Sequence, residues 1–389
     1  MSPLESSGKP LFFKVADPAA AGVRVPENRR GAALRVVARS LALMQKEALI
    51  LSSTTGAAWR LASDEGAYLM GDDVAPCPLA FMSTGMVASF TEEIVALARL
   101  RGIRLPGLRL IQDNYYTMEG SALRGTMAGG ALPVDLSMEV ESSEGPEALG
   151  GLLEDAIAAS PVSALLRNAL PSRFTLTHNG REVRTGRVAP IGGPTEPWPE
   201  ECFEKARPAT GDWVTLVQKN GMSPKTGEAT SSSGSSYAAE QSRRLHLRAI
   251  CSLRPDGLKA IEQQLLNPHG SIFHFLSEEG PQAGGLGRAP DALTYVSAGI
   301  AFCFMTQFGR YAKIVRKDLS HYSVIQDTHF SPGGGREAAA DAVETRVHLE
   351  SGEDDEFARA ILDMAERTCF LHALCRSELK VNTSVAVRA

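Results

Sequence analysis

PDALTYVSAGIAFCFMTQFGRYAKIV, from Pro290 to Val315, is the stretch whose reading decides the fold. Gly299 lies inside it, and charges gather only after Gly309. The spacing predicts a helix buried on most faces, the spine of a domain. Thr, Ser, Gln and Arg interrupt the run at positions that argue against a bilayer span. A second spine, PCPLAFMSTGMVASFTEEIVALARLR from Pro76 to about Arg101, runs apolar and then amphipathic, with Gly102 as its C-terminal stop.

Working outward, the two spines belong to a duplication. Ser63-Asp64-Glu65-Gly66 recurs as Ser277-Glu278-Glu279-Gly280, and Ser83-Thr84-Gly85 as Ser297-Ala298-Gly299. Ile111-Gln112-Asp113 recurs letter for letter as Ile325-Gln326-Asp327, so all three matches share a displacement of 214 residues (63 to 277, 83 to 297, 111 to 325). A single offset held over three matches marks an internal repeat. Farther on, AASPVSALL (Ala158 to Leu166) matches RTCFLHALC (Arg367 to Cys375) at a displacement of 209 (160 to 369). The missing residues fall in the strand-connecting region, where length changes are tolerated.

Around the spines the pattern is mixed. LRLIQDNYYTME and ALPVDLSMEVESSE alternate as an antiparallel pair, Asn179-Gly180 marks a tight hairpin, and a second helix runs from about Pro146 to Ala169 with a break at Ser160-Pro161. ALRVVARSLALMQKEALILSS (Ala33 to Ser53) fits strand and helix equally. Residues 187–240 are rich in Pro, Gly and Ser and read as a linker with one strand-like island, DWVTLVQK. The expectation is an α+β protein with two tandem domains, 1–186 and 241–389, joined by that linker.

Composition narrows the function. In 389 residues, 43% hydrophobic and 22% charged content is ordinary for a globular protein, and a net charge of −5 gives no basic footprint for nucleic acid. The N-terminus lacks the basic start and long apolar core of a secretory signal, so a cytoplasmic protein without a membrane partner is expected. Cysteines 77, 202, 251, 303, 369 and 375 form neither a disulfide framework nor a CxxC pattern. His274, His321, His329, His348 and His372 lack metal-ligand spacing. Gly284-Gly285-Leu286-Gly287 and Gly333-Gly334-Gly335 read as loops without the strand-to-helix context of a phosphate cradle. No metal and no cofactor are therefore expected.

Aligning the copies sets Ser89 opposite Cys303 and Ser160 opposite Cys369. Each cysteine is expected in the middle of a long helix. If those helices pack, the sulfurs come within disulfide reach, with Cα atoms roughly 4.4–6.8 Å apart. Taken alone, Cys303 reads first as a small buried hydrophobe. Asp72-Asp73 and Glu278-Glu279 read as solvated turn charges, with the alternative that a carboxylate of one copy reaches the other copy's thiol.

At these residues the chain resembles the osmotically inducible protein C and organic hydroperoxide resistance family, OsmC/Ohr. AGIAFC, ending at Cys303, resembles the family's first cysteine helix, and AASPVSALL resembles its second motif with Ser160 in place of cysteine. The resemblance covers most of residues 30–185 and 243–389 as two copies. It implies α+β domains in a covalent pseudo-dimer, monomeric or further dimerised, with antiparallel sheets packed on long central helices. It also implies thiol-dependent reduction of organic hydroperoxides. Cys303 would be the peroxidatic thiol, Cys369 the resolving thiol and Asp291 the acidic residue before the first cysteine. Arg248, with Arg35 as alternative, would be the arginine that stabilises the thiolate. The partners implied are a small apolar hydroperoxide and a dithiol reductant. Two other readings stay open: Cys303 as nucleophile towards a carbonyl, thioester or other electrophile, and a non-enzymatic protein with a groove for an apolar ligand.

Overall fold

The computed structural model describes residues 3–6, 8–42, 44–225, 236–331 and 337–388. The Gly333-Gly334-Gly335 loop and much of the Ser-rich part of the expected linker lie outside the described residues. The main helices are α1 (Pro78–Arg101), α2 (Pro146–Ala159), α3 (Ser163–Arg167), α4 (Ala292–Val315), α5 (Asp355–Thr368) and α6 (Phe370–Cys375). Both spines are thus helices. α1 starts on Pro78 and ends on Gly102, whose positive φ of 69° closes its last turn. α4 starts on Asp291, whose carboxylate accepts from the Thr294 N–H at 2.7 Å.

Strands of both copies build each of two sheets. The main strands are β1 (Ala32–Ser40), β2 (Lys46–Ser52), β3 (Ala58–Ser63), β4 (Arg109–Ser121), β5 (Val134–Glu141), β6 (Arg173–His178) and β7 (Val217–Met222), followed by β8 (Glu240–Leu253), β9 (Lys259–Asn267), β10 (Ser271–Ser277), β11 (His321–Ser331), β12 (Glu344–Glu350) and β13 (Val381–Arg388). The first sheet runs β3-β2-β1-β11-β12-β6 and the second β7-β10-β9-β8-β4-β5-β13. β1 to β3 of the first copy therefore continue into β11 and β12 of the second, while β8 to β10 of the second continue into β4 and β5 of the first. The last strand of each copy returns parallel to the other copy, β6 on β12 and β13 on β5. This exchange is what an intramolecular pseudo-dimer requires.

The helices fill the space between the sheets. α1 packs on the second sheet, α4 on the first, and the two pack on each other. Their crossing depends on the glycines of the repeat. A Cβ on Gly85 would stand 2.5 Å from the Ala292 carbonyl oxygen, and one on Gly299 would stand 2.8 Å from the Met82 nitrogen. The other repeated letters also recur as contacts. Ser63 and Ser277 each donate at 2.9 Å to a proline carbonyl, of Pro76 and Pro290. Gln112 donates to the Ser83 carbonyl at 3.3 Å and Gln326 to the Ser297 carbonyl at 2.9 Å. α4 is long and apolar enough to cross a bilayer, and 89% of that stretch is buried within the fold.

Two expectations change. Ala33 to Ser53 forms two strands, because β1 buries Ala33, Leu34, Val36, Val37 and Ala38 in succession and so shows no alternation. The described part of the expected linker packs as a cover: Cys202, Phe203 and Ala206 join Val37, Leu49, Leu51 and Ile325 in a second apolar cluster, Trp213 meets Trp59 edge-on at 5.7 Å, and β7 pairs with β10.

Candidate functional site

Cys303 lies in mid-α4, as its sequence setting predicts. Cys369 does not lie within a helix. It occupies the extended residue (φ −72°, ψ 120°) between α5 and α6, where its sulfur accepts from the His372 backbone N–H at 3.4 Å. Ser160 occupies the same break between α2 and α3, beside Pro161. This kink turns the residue-369 side chain towards α4. The Cys369 thiol lies close enough to Cys303 to raise its thiol above the ordinary value, and both cysteines are buried and free. In the other copy the Ser89 and Ser160 hydroxyls meet at 2.7 Å. The residues that the repeat aligns thus lie near one another in each copy, Ser89 with Ser160 and Cys303 with Cys369.

Cys303 lines a small pocket that draws on both copies. Its apolar walls include Leu79, Leu245, Leu265 and Phe370, and its polar groups are Glu65, Tyr68, Arg243, Thr306 and Gln307. Glu65, on the loop from β3 to α1, accepts from the Thr306 hydroxyl at 3.0 Å and from the Tyr68 hydroxyl at 2.7 Å. Burial raises its carboxyl above the ordinary value, and the Lys46 ammonium opposes that rise. Lys46 is fully buried, donates to the Met44 carbonyl at 2.5 Å and is lowered by burial. Burial, and then the neighbouring Cys369 thiol, push the Cys303 thiol well above its ordinary value. Proton acceptor, cation and thiol thus surround one space, with the thiol protonated at rest.

The other expected site residues are elsewhere. Arg248 makes a two-pronged ion pair with Asp113, both contacts at 2.9 Å, and Arg35 pairs with Asp327 in the same way, both at 2.8 Å. Leu245 and Leu247 of β8 face the helices, so the period-two alternation points Arg248 to the opposite face. Arg243 shares the inward parity and is the arginine at the Cys303 pocket. Asp291 caps α4 twelve residues before Cys303, about 18 Å along the helix at 1.5 Å per residue. Glu65, from the other copy, takes the place expected of it. Its signal was present in the recurring Ser-acid-Glu-Gly letters, and Glu278-Glu279 is no solvated pair either: Glu278 is held by Arg288 at 2.6 Å.

Asp291 belongs to a second pocket, with Ser89, Glu92, Glu93 and Glu279. Glu279 is the repeat mate of Glu65, and Lys259 pairs there with Glu92 at 2.6 Å and Glu279 at 3.5 Å. This is the thiol pocket's counterpart, with hydroxyls in place of thiols. Among the described residues no group of three or more His, Cys, Asp or Glu is placed to hold a metal.

Comparison with known proteins adds a family. The family model described as OsmC-like protein matches residues 285–384, which include α4, Cys303 and Cys369. No curated protein matches the chain. Among solved structures, an OsmC-like hydroperoxide resistance protein from Jannaschia sp. is similar at 21% identity, covering 32% of this chain and 81% of that one, with a TM-score of 0.20. A protein of Psychrobacter arcticus described as an osmotic stress induced and detoxification response protein is similar at 14% identity, covering 33% and 84%, with a TM-score of 0.23.

Proposed function

Because residues 285–384 are OsmC-like, we propose that the chain is a thiol-dependent peroxidase that reduces organic hydroperoxides with Cys303 and Cys369. The observation that carries this reading is Cys303 at a pocket holding Glu65, Thr306 and Arg243, with the Cys369 thiol near enough to raise it. Glu65 takes the Cys303 proton, with Arg243 and Lys46 opposing the thiolate charge. The thiolate attacks the terminal peroxide oxygen, the O–O bond breaks, and Glu65 returns the proton to the departing alkoxide. Cys303 is then a sulfenic acid and the product an alcohol. The Cys369 sulfur attacks the Cys303 sulfur, the S–S bond forms, and the hydroxyl leaves as water with the Cys369 proton. An external dithiol restores both thiols by exchange.

Peptide mapping by mass spectrometry after one equivalent of cumene hydroperoxide tests the reading. The expected product is a Cys303–Cys369 disulfide in the wild type, a trappable sulfenic acid at Cys303 in Cys369→Ser, and neither in Cys303→Ser. Wild-type protein that consumes no hydroperoxide and leaves both thiols free overturns it.

A further inference from the structure

The pocket at Ser89 is the thiol pocket repeated, lining residue for lining residue. The displacement is 213 in the first strands (32 to 245), 214 along the spine helix (89 to 303) and 209 at the second break (161 to 370). At these displacements every residue lining the Cys303 pocket except Arg243 has a mate lining the other. The mates are smaller: Ala32 stands for Leu245, Ser52 for Leu265, Ala283 for Leu69 and Pro161 for Phe370. Free space grows accordingly, from about 30 Å³ at Cys303 to about 190 Å³ at Ser89. A cavity of about 150 Å³ admits benzene, so the second pocket has room for a small ligand as it stands.

The charge has changed as well. Glu92 and Glu93 replace Thr306 and Gln307, Asp291 replaces Cys77, and Arg30, in the place of Arg243, is turned out to Asp341 at 2.8 Å. Lys259 answers Glu92 at 2.6 Å and Glu279 at 3.5 Å, and Asp291 accepts from the Thr294 N–H at 2.7 Å. Glu93 has no hydrogen bond or ion pair among the described residues, and burial and then Glu92 push its carboxyl up to about 7. Among the described residues no three of these carboxylates are placed to hold a metal, so an organic ammonium is the cation that fits. The Ser89 and Ser160 hydroxyls bond each other at 2.7 Å, and Ala32, Leu34, Pro161 and Leu293 give the cavity apolar walls.

We propose that the Ser89 pocket is a second binding site, for a primary amine on a ring or short alkyl body, with Glu93 pairing the ammonium. The site goes beyond the thiol chemistry and does not depend on it.

Calorimetry on the reduced full-length chain with benzylamine and benzyl alcohol tests the site. Benzylamine binds at one equivalent and at least about tenfold more tightly than benzyl alcohol, and Cys303→Ser keeps that ratio. Glu93→Gln, which keeps the volume and removes the charge, brings the ratio below about threefold. Ala32→Leu restores the side chain that the thiol pocket carries at Leu245 and abolishes binding of both ligands; it decides where Glu93→Gln does not fold. No benzylamine binding, equal affinity for the two ligands, full discrimination in folded Glu93→Gln, or unchanged binding in folded Ala32→Leu overturns the proposal. Each outcome stands whether or not hydroperoxide joins Cys303 to Cys369, so the two readings fail separately.

Discussion

At the scale of single residues, burial sets the protonation states. Cys303 is raised well above its ordinary value, first by burial and then by Cys369, so at neutral pH a small fraction is thiolate. Because Glu65 must be ionised to take the Cys303 proton, the single-turnover rate of Cys303 oxidation should rise with pH through the raised Glu65 carboxyl and then level off. Stopped-flow measurement between about pH 4 and 9 checks this, and a rate that keeps climbing about tenfold per pH unit to the top of that range contradicts it. His372 provides a stability counterpart. Its ring packs between Phe174 and Phe304, both nitrogens lack partners, and burial lowers it to about 3. A histidine depressed in the fold stabilises above the unfolded value near 6.5 and loses that contribution as pH falls below it. Between pH 7 and 5 the loss is roughly 2 kcal/mol. Denaturant melts of His372→Phe should therefore show a smaller drop over that interval than the wild type.

Arg248 tests which arginine serves the thiol. Its fork binds Asp113, which also meets His246 at 2.6 Å, so Arg248→Gln should lower Tm while leaving the pH profile of Cys303 oxidation in place. Arg243→Gln should shift the profile towards higher pH, because it removes a cation from the thiol pocket. A single sequence carries both arginines on the same strand, five residues apart. Only the parity of a correctly placed strand tells which faces the helices.

At the scale of elements, the letters shared by the two copies were legible because each performs a contact twice. Ser83 and Ser297, Gln112 and Gln326, and Asp113 and Asp327 bond at matching places in the two sheets. Gly85 and Gly299 let two helical backbones touch, so Gly299→Ala must push α1 from α4. Overpacking of this kind costs about 1–3 kcal/mol, measurable as a lower urea midpoint at unchanged m-value. The same alanine at Gly150, which meets nothing within 4 Å, should be neutral or mildly stabilising. Other elements were illegible for physical reasons. β1 is buried on both faces, which erases its alternation, and the cover at 198–213 hides its apolar residues among prolines and glycines. The site was half legible: a Ser-to-Cys comparison finds the thiol pair, whereas Glu65 and Arg243 reach it through strand exchange, which local spacing does not encode.

At the scale of the molecule, strand exchange decides how the chain holds together. An isolated 241–389 segment would expose the β8 edge that β4 covers over its length, and the α4 face that α1 packs against. The β1 to β11 seam would be lost in the same way. Neither half has a complete sheet, so neither is expected to fold alone. A cut between Lys225 and Ser236 breaks none of the described pairings, because β7 and β8 lie on either side of it in the same sheet. A protease site placed there should give two fragments that co-elute in size-exclusion chromatography at the volume of the intact chain. Those fragments should still join Cys303 to Cys369 on hydroperoxide treatment, since Glu65 comes from one and both thiols from the other. Fragments that separate under native buffer, or a C-terminal fragment that folds and oxidises by itself, would show that the halves are independent domains rather than one interlaced core.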